Sequence, residues 1–177
     1  MTTNEPLLTF ETALGRCGIR WSDIGITSVL LPCAATSARL PIPDAAAVPA
    51  VPADVRDAIE GIQAVLEGKR RDLRDLRLDE RGIDPFRRRV YAATRDVQPG
   101  TIATYGQVAR AIGEPEAARD VGAALARNPM PVIVPCHRVI AANGALHGFS
   151  APGGIETKRR MLQLEGAPGF GQQVLFG

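Results

Sequence analysis

A cysteine that directly precedes a histidine is the pair in this sequence best suited to nucleophilic chemistry. Cys136 and His137 lie in the segment PVIVPCHRVI, residues 131–140. A cysteine thiolate is a strong nucleophile, and histidine is the side chain best able to take up a thiol proton near neutral pH. Because His137 and Arg138 are costly residues to bury, a purely structural role is the weaker interpretation of this segment.

The local backbone around Cys136 decides whether the two side chains can cooperate. The apolar run from Val132 to Val134 predicts a short buried strand, which Pro135 ends just before the cysteine. Neighbouring residues of a strand point to opposite faces. Contact between Cys136 and His137 therefore requires a turn or a bridging water molecule.

Composition and cysteine usage limit the class of protein. With 177 residues, 45% of them hydrophobic and 23% charged, the chain is typical of a soluble globular protein of one or two domains. Three cysteines without a C-x-x-C pair, and only two histidines, favour neither disulfides nor a metal site, so we expect no metal and no cofactor. Cys17 and Cys33 are expected to be small buried hydrophobes. Without a targeting signal or a membrane-spanning run, a cytoplasmic protein with no membrane contact is expected.

Charge is distributed unevenly along the chain. The residues before Gly82 carry 10 basic and 12 acidic side chains, whereas those from Gly82 onward carry 11 basic and 7 acidic. The second half is therefore the better candidate for binding a polyanion. An excess of positive charge also keeps a protein soluble, so the charge alone does not identify a partner.

The first half predicts β structure followed by a helix. Short alternating segments over residues 7–31 predict a hairpin with its turn near Ser22–Gly25. The Ala- and Pro-rich residues 38–53 predict a loop, and apolar positions at helical spacing predict a helix from an N-cap at Asp54 to Gly68. At Leu76–Leu78 a strand is favoured over an exposed helix.

The second half predicts three helices, of which the last two resemble a helix-turn-helix. The first helix is predicted at about residues 86–95. The second is predicted from an N-cap at Thr104 to Gly113, and the third from about Pro115 to Asn128. Many helix pairs that do not bind DNA share this pattern. The predicted fold is α/β (α+β) with two small domains. Residues 1–81 form an N-terminal domain of a β-hairpin or sheet plus a helix, and residues 82–177 form a mostly helical, winged helix-turn-helix-like domain whose short strand ends at the active cysteine.

Several motifs together resemble one known family. TYGQVA, AARDVGAALARNP, PVIVPCHRVI and GGIETKRRMLQLEG follow one another across nearly all of residues 82–166. In this order they are similar to the O6-alkylguanine-DNA alkyltransferases, the methylated-DNA-protein-cysteine methyltransferases. The first half resembles that family only loosely, through its hairpin and an LxLD segment.

The resemblance implies a set of catalytic residues. Cys136 matches the family's alkyl acceptor, and His137 matches the base that takes the thiol proton through a water molecule. Glu165 matches the carboxylate that orients this histidine, and Asn128 matches a hinge residue before the cysteine. By itself, Glu165 would be interpreted as a solvated helix residue, and Asn128 as a helix C-cap.

The resemblance also implies residues that bind DNA and turn the nucleotide out of the duplex. O6 of guanine lies within the base stack, so the nucleotide must be turned out of the duplex before a cysteine reaches it. Arg119 matches the arginine that fills the gap, and Tyr105 matches the tyrosine that turns the phosphate and donates to guanine N3. Three small residues would let the third predicted helix of the second half approach a minor groove: Ala117, Ala118 and Gly122.

The base pocket implied by the resemblance departs from the family pattern at its lid. Carbonyls of Val139 and Cys136 would accept from the exocyclic amine, and Ser150 would donate its backbone N–H to O6. The lid sequence, HGFSAPGG, has Phe149 where a tyrosine is usual and extra residues before Gly153-Gly154. These differences leave open the role of Ser150 and the size of the alkyl groups that are accepted.

The implied function is the repair of double-stranded DNA that contains O6-alkylguanine, and also O4-alkylthymine, by one irreversible transfer to Cys136. The protein is expected to be a monomer and to be consumed. Three alternatives remain: a base-flipping protein that transfers nothing, a Cys/His hydrolase with repeated turnover, and a winged-helix transcription factor indifferent to Cys136→Ser. A structural zinc site is not expected, because the first half has no histidine.

Overall fold

The first half of the protein forms a small antiparallel sheet. The computed structural model describes residues 5–32, 50–147 and 149–171. The strands β1 (Leu7–Thr12), β2 (Gly15–Trp21) and β3 (Ile26–Leu30) pair in that order. The predicted turn at Ser22–Gly25 joins β2 to β3, and the Ser22 amide donates to the Gly25 carbonyl over 2.9 Å.

Helix α1, which spans Ala53–Leu66, packs against this sheet. Pro52 rather than Asp54 occupies its N-cap, and Asp54 lies in the first turn. The predicted strand at Leu76–Leu78 is reduced to one parallel bridge between Leu78 and Ile26. Most of the predicted loop at 38–53, together with Cys33, lies outside the described residues. Cys17 is fully buried, as predicted, and burial raises the pKa of its thiol to about 11.

Helices dominate the second half, and their caps agree with the sequence signals. The helices α2 (Pro85–Arg95), α3 (Tyr105–Ala111), α4 (Ala118–Ala126) and α5 (Gly154–Leu164) follow one another along the chain. Thr104 caps α3 in a capping box with Gln107. Helix α4 begins later than the predicted Pro115, because the Ala117 amide bonds to the Glu114 carbonyl and closes a separate turn first.

The predicted strand before Cys136 is wrong. Residues 132 and 133 form a tight buried turn instead. The Val134 amide donates to the Met130 carbonyl over 2.9 Å, and Pro131 and Val134 form an isolated parallel β-bridge. The prolines on both sides remove backbone donors that a strand needs. A buried apolar run of this length has no period that distinguishes a strand from a turn. The strand of this region follows the cysteine: β5 (Val139–Ile140) pairs in parallel with β4 (Ala103–Thr104).

One apolar core connects the two halves. It contains Ile19 of β2, Ile62 of α1, Tyr91 of α2 and Val121 of α4, together with Ile133 of the buried turn. The division into residues 1–81 and 82–177 stays a prediction. Within the described part of the chain, no helix is long and apolar enough to cross a membrane.

Candidate active site

The turn before Cys136 is fastened by Asn128. Its Oδ1 accepts from the Met130 amide over 2.9 Å, and its Nδ2 donates to the Val134 carbonyl over 2.9 Å and to the Cys136 sulfur over 3.3 Å. Val132 within this turn has φ +74°, a left-handed conformation that a β-branched residue adopts only at a cost. The amide of Asn128 therefore holds together a strained turn and the candidate nucleophile.

The backbone curls immediately at Cys136. Residues Cys136–Arg138 form one turn of 3-10 helix, so the thiol, the imidazole and the guanidinium leave the chain in different directions. Burial raises the pKa of the Cys136 thiol, whereas the hydrogen bond from Asn128 and the charge of Lys158 lower it. The thiol is buried at a site where two polar partners favour its ionised form.

His137 is held from one side by a buried carboxylate. Its Nε2 lies 2.9 Å from Oε1 of Glu165, and both side chains are almost fully buried. Burial lowers the pKa of His137, and the bond to Glu165 opposes that effect. Because an ionised carboxylate can only accept, Nε2 carries the proton and Nδ1 presents its lone pair. Among the described residues, no hydrogen-bond partner reaches Nδ1.

Arg138 keeps Glu165 ionised. Its Nε donates to Oε2 over 2.9 Å and its Nη2 donates to Oε1 over 2.7 Å, a bidentate pair, while Nη1 donates to the Val97 carbonyl over 2.7 Å. Burial alone would raise the pKa of Glu165, but His137 and Arg138 outweigh it and lower this pKa to about 2. The carboxylate is thus charged throughout the neutral range and able to stabilise a protonated His137.

Lys158 brings a second buried cation close to the thiol. Its Nζ donates to the Val139 carbonyl over 2.6 Å and lies 3.5 Å from the Tyr105 hydroxyl. Burial lowers the pKa of Lys158 to about 8, while the charge on Cys136 opposes the shift. The ammonium is therefore mostly protonated at pH 7 and favours the thiolate of Cys136.

Lys158→Met should slow the reaction of Cys136 as a nucleophile at pH 7, because loss of the ammonium raises the pKa of the thiol and lowers its thiolate fraction. Each unit of pKa changes that fraction by about tenfold. The pH profile of the rate should move to higher pH, and the two proteins should converge in alkaline solution. Arg160→Met is the matched control, because Arg160 is an exposed cation on the same helix. An unshifted pH profile for Lys158→Met would contradict this role.

The helix pair α3–α4 borders a groove next to this site. Arg119 is exposed near the start of α4, and with Ala118 and Gly122 it lines a groove of about 540 Å³. Tyr105 is at the wall of the same groove, where its hydroxyl donates to the His147 carbonyl over 3.2 Å. Ala117 is buried at the N-cap of α4 and does not line the groove. The structure thus brings together Tyr105, Arg119 and the small residues of α4, with Ala117 as the exception.

Two of the predicted base-pocket residues, Phe149 and Ser150, line a cavity together with Cys136. The Val139 carbonyl accepts from Lys158, and the Phe149 ring is 6.0 Å from the Lys158 ammonium. The Ser150 hydroxyl donates to the Ala126 carbonyl, so its side chain ties the lid to α4.

Sequence reasoning missed the roles of Arg138 and Lys158. Arg138 is 5% exposed and Lys158 is 1% exposed. The signal for Lys158 was present, because it shares a helical stripe with Met161, Leu162 and Glu165, at intervals of three, four and seven residues. A lysine on an apolar stripe indicates a buried partner. Here that partner is a backbone carbonyl, which the sequence does not show.

Comparisons with known proteins identify relatives of this chain. Residues 85–167 match the family model described as 6-O-methylguanine DNA methyltransferase, DNA binding domain. A methylated-DNA–protein-cysteine methyltransferase of Methanosarcina acetivorans is 40% identical over 112 residues, 63% of this chain and 69% of that protein. The Mycobacterium tuberculosis H37Rv protein of the same name is 44% identical over 108 residues, which cover 61% of this chain and 63% of that protein.

Solved structures extend the similarity to almost the whole chain. Mycobacterium tuberculosis OGT in complex with DNA superposes with a TM-score of 0.68 at 34% identity, over 93% of this chain and 96% of that one. The O6-methylguanine-DNA methyltransferase of Pyrococcus kodakaraensis KOD1 gives a TM-score of 0.67 at 26% identity, over 92% and 100%. A buried Cys-His-Glu constellation beside a helix pair is thus found in a fold shared with alkyl-transferring repair proteins. The chain belongs to the methylated-DNA–protein-cysteine methyltransferase family.

Proposed function

We propose that the protein repairs double-stranded DNA by transferring the alkyl group of O6-alkylguanine to Cys136, once per molecule. The observation that carries this proposal is the buried Cys136 thiol, contacted by Asn128 at 3.3 Å and followed by the buried His137–Glu165–Arg138 network. A thiol whose proton can pass to an oriented neutral imidazole is the arrangement that nucleophilic transfer requires. O4-alkylthymine, which carries its alkyl group on a comparable exocyclic oxygen, is included in the proposed substrates.

The chemical step is a displacement at the alkyl carbon. Nδ1 of His137 takes the thiol proton through a water molecule, and Glu165 stabilises the resulting imidazolium. The Cys136 sulfur then forms a bond to the alkyl carbon as the bond from that carbon to O6 breaks. The bonding pair leaves with guanine, whose negative charge is stabilised by a hydrogen bond from the Tyr105 hydroxyl to N3. Guanine then takes up a proton from solvent as His137 returns its proton to solvent. The product is a thioether, which has no good leaving group, so the protein is consumed.

DNA would bind along the groove of α3 and α4. Arg119 is exposed there and Gly122 adds no side chain, which suits close approach to a minor groove. The lesion base would be turned out into the pocket formed by Val139, Phe149 and Ser150, while Arg119 fills the space it leaves. The protein is proposed to act as a monomer in the cytoplasm.

The test is the intact mass of the protein after mixing with a duplex that holds one O6-methylguanine. The expected result is a gain of about 14 Da that stops at one equivalent, on the peptide that contains Cys136. Tight binding without a mass gain would indicate a recognition protein instead. Repeated release of product from a duplex or an activated ester would indicate a hydrolase.

Arg119→Ala should reduce the rate of transfer from duplex DNA by at least about tenfold, because the extrahelical base then leaves an unfilled gap that costs a few kcal/mol. The defect should be much smaller on a single-stranded oligonucleotide, where no pair has to be opened. Arg77→Ala removes an exposed cation from the first half and serves as the control. Equal losses on both substrates would point to a general contribution to binding, not to a role in base flipping.

A further inference from the structure

The carboxyl end of helix α4 leads directly into the turn before Cys136. The helix ends at Ala126, Arg127 is its C-cap, and Asn128 follows. The Asn128 amide donates to the Leu125 carbonyl over 3.1 Å, so the backbone of Asn128 continues the helix. The contact between the Asn128 side chain and the Cys136 sulfur therefore depends on where the end of α4 lies.

Two side chains of helix α2 hold this helix end. The Tyr91 hydroxyl donates to the Ala124 carbonyl, in the last turn of α4, over 2.9 Å. Nη2 of Arg87 donates to the Arg127 carbonyl over 2.9 Å, and its Nε donates to the Tyr91 hydroxyl over 3.1 Å. Carbonyls at the end of a helix lack amide donors from the next turn, and the helix dipole favours a cation beside them. Arg87 and Tyr91 together, the α2 clamp, therefore fix the carboxyl end of α4 to α2.

The α2 clamp is part of the core and lies within electrostatic range of the thiol. Tyr91 is fully buried, and the side chain of Arg87 is 20% exposed. The guanidinium lies 5.7 Å from the centre of the Tyr91 ring, and the Asp84 carboxylate lies 3.9 Å from Nε of Arg87. Burial raises the pKa of Tyr91, Arg87 opposes this shift, and the charge of Cys136 adds to it. A buried hydroxyl that both donates and accepts keeps its partners in one arrangement.

We propose that Arg87 and Tyr91 are positioning residues for alkyl transfer, which act by holding Asn128 within hydrogen-bond distance of the Cys136 sulfur. This inference rests on the proposed function. A hydrogen bond weakens steeply when its donor moves out of line, so a small shift of the end of α4 is enough to lose the bond of 3.3 Å to the sulfur. Loss of that bond raises the pKa of the thiol, because Asn128 makes the largest of the contributions that lower it.

The test is the pKa of the Cys136 thiol, read from the ultraviolet absorbance of the thiolate as the difference between each protein and its Cys136→Ser counterpart. Tyr91→Phe removes one hydroxyl and keeps the ring, whereas Arg87→Met removes the guanidinium and keeps an apolar stem. Each should lower the thiolate fraction at pH 7 by at least about threefold, which is the effect of about half a unit of pKa. Arg88→Met removes an exposed cation from the same helix and should leave the thiol unchanged.

Methyl transfer from a duplex with one O6-methylguanine gives the second measurement. Its rate at pH 7 should fall in Tyr91→Phe and Arg87→Met by the same factor as the thiolate fraction, and should approach the wild-type rate in alkaline solution. The affinity for the duplex should stay within about twofold of wild type, because Arg119 lies at the other end of α4. A loss of affinity with an unchanged thiol pKa would assign the clamp to DNA binding and overturn the inference.

Asn128→Ala tests whether the clamp acts through Asn128. This variant should itself raise the pKa of the Cys136 thiol, and adding Tyr91→Phe should raise it no further, because the bond to the sulfur is already absent. Shifts that add would show a route that does not pass through Asn128 and would contradict the inference.

The outcomes separate this inference from the proposed function. An unchanged thiol pKa in both clamp variants would overturn the positioning role, while methyl transfer by the wild type would leave the proposed function intact. If Tyr91→Phe does not fold, Arg87→Met decides, because its side chain is partly exposed. A wild type that gains no methyl group would remove the proposed function, although the thiol titration would still show whether the clamp positions Asn128.

Discussion

Cys136→Ser should abolish alkyl transfer while leaving DNA binding in place. A serine hydroxyl ionises far less readily than a thiol, and at Cys136 the contacts with Asn128 and Lys158 oppose the rise in pKa that burial causes. We expect the transfer rate to fall by at least about 10³-fold. The serine is smaller than the cysteine, and the thiol makes one weak hydrogen bond with Asn128, so the fold should be retained.

The measurement for Cys136→Ser combines intact mass with binding to a duplex that contains O6-methylguanine. Cys17→Ala is the matched control, because Cys17 is the other free cysteine of the described residues and lies fully buried in the core. That variant should still gain one methyl group per molecule. A mass gain on Cys136→Ser would show that a different residue accepts the alkyl group and would contradict the proposed mechanism.

Glu165→Gln should have the second largest effect, on both stability and transfer. Glutamine has nearly the same shape, but it leaves the buried Arg138 guanidinium without a counter-charge. Removing one partner of a buried pair costs about 3–5 kcal/mol in the free energy of unfolding. His137 also loses the charge that stabilises its protonated form, so transfer should slow by about 10²-fold or more.

A double variant distinguishes the two effects of Glu165→Gln. In Glu165→Gln/Arg138→Met both charges are removed, so the free energy of unfolding measured with urea should recover in part. The transfer rate should not recover, because His137 still has no carboxylate. If the rate rises with the stability, Glu165 acts through folding alone and is not a positioning residue for His137.

The stability difference between wild type and Glu165→Gln should also depend on pH. The Glu165 carboxyl has a pKa of about 2 in the folded protein and its usual value of 4.5 in the unfolded chain. Between these values the unfolded chain binds a proton that the folded protein does not, so the wild type loses stability as the pH falls through this window. The glutamine variant lacks the stability that ionised Glu165 contributes, so the two unfolding free energies should converge toward pH 2. A constant difference from pH 7 to pH 2 would contradict the assignment of a charged, paired Glu165.

Local signals in the sequence predicted most of the helical half. The predicted cap at Thr104 specifies where α3 starts without any tertiary contact, and the structure completes it as a capping box with Gln107. The PCHR segment likewise identified the candidate nucleophile, because cysteine followed by histidine is a chemical signal that is independent of the fold. Glu165 was recognised only through the resemblance to a family, since a carboxylate on a helix has no local feature that marks it as buried.

The tertiary structure decided what the local pattern left open. The apolar run at Val132–Val134 became a strained turn because two flanking prolines and the amide of Asn128 outweigh its strand propensity. Burial of Arg138 and Lys158 depends on partners far along the chain, at Glu165 and Val139. Strand β3 is joined to the turn that carries Asn128 by a hydrogen bond from the Val29 amide to the Pro129 carbonyl, and these two residues are distant in sequence. Residue type and spacing therefore determined which group reacts, whereas contacts between distant segments determined its ionisation, its orientation and the space around it.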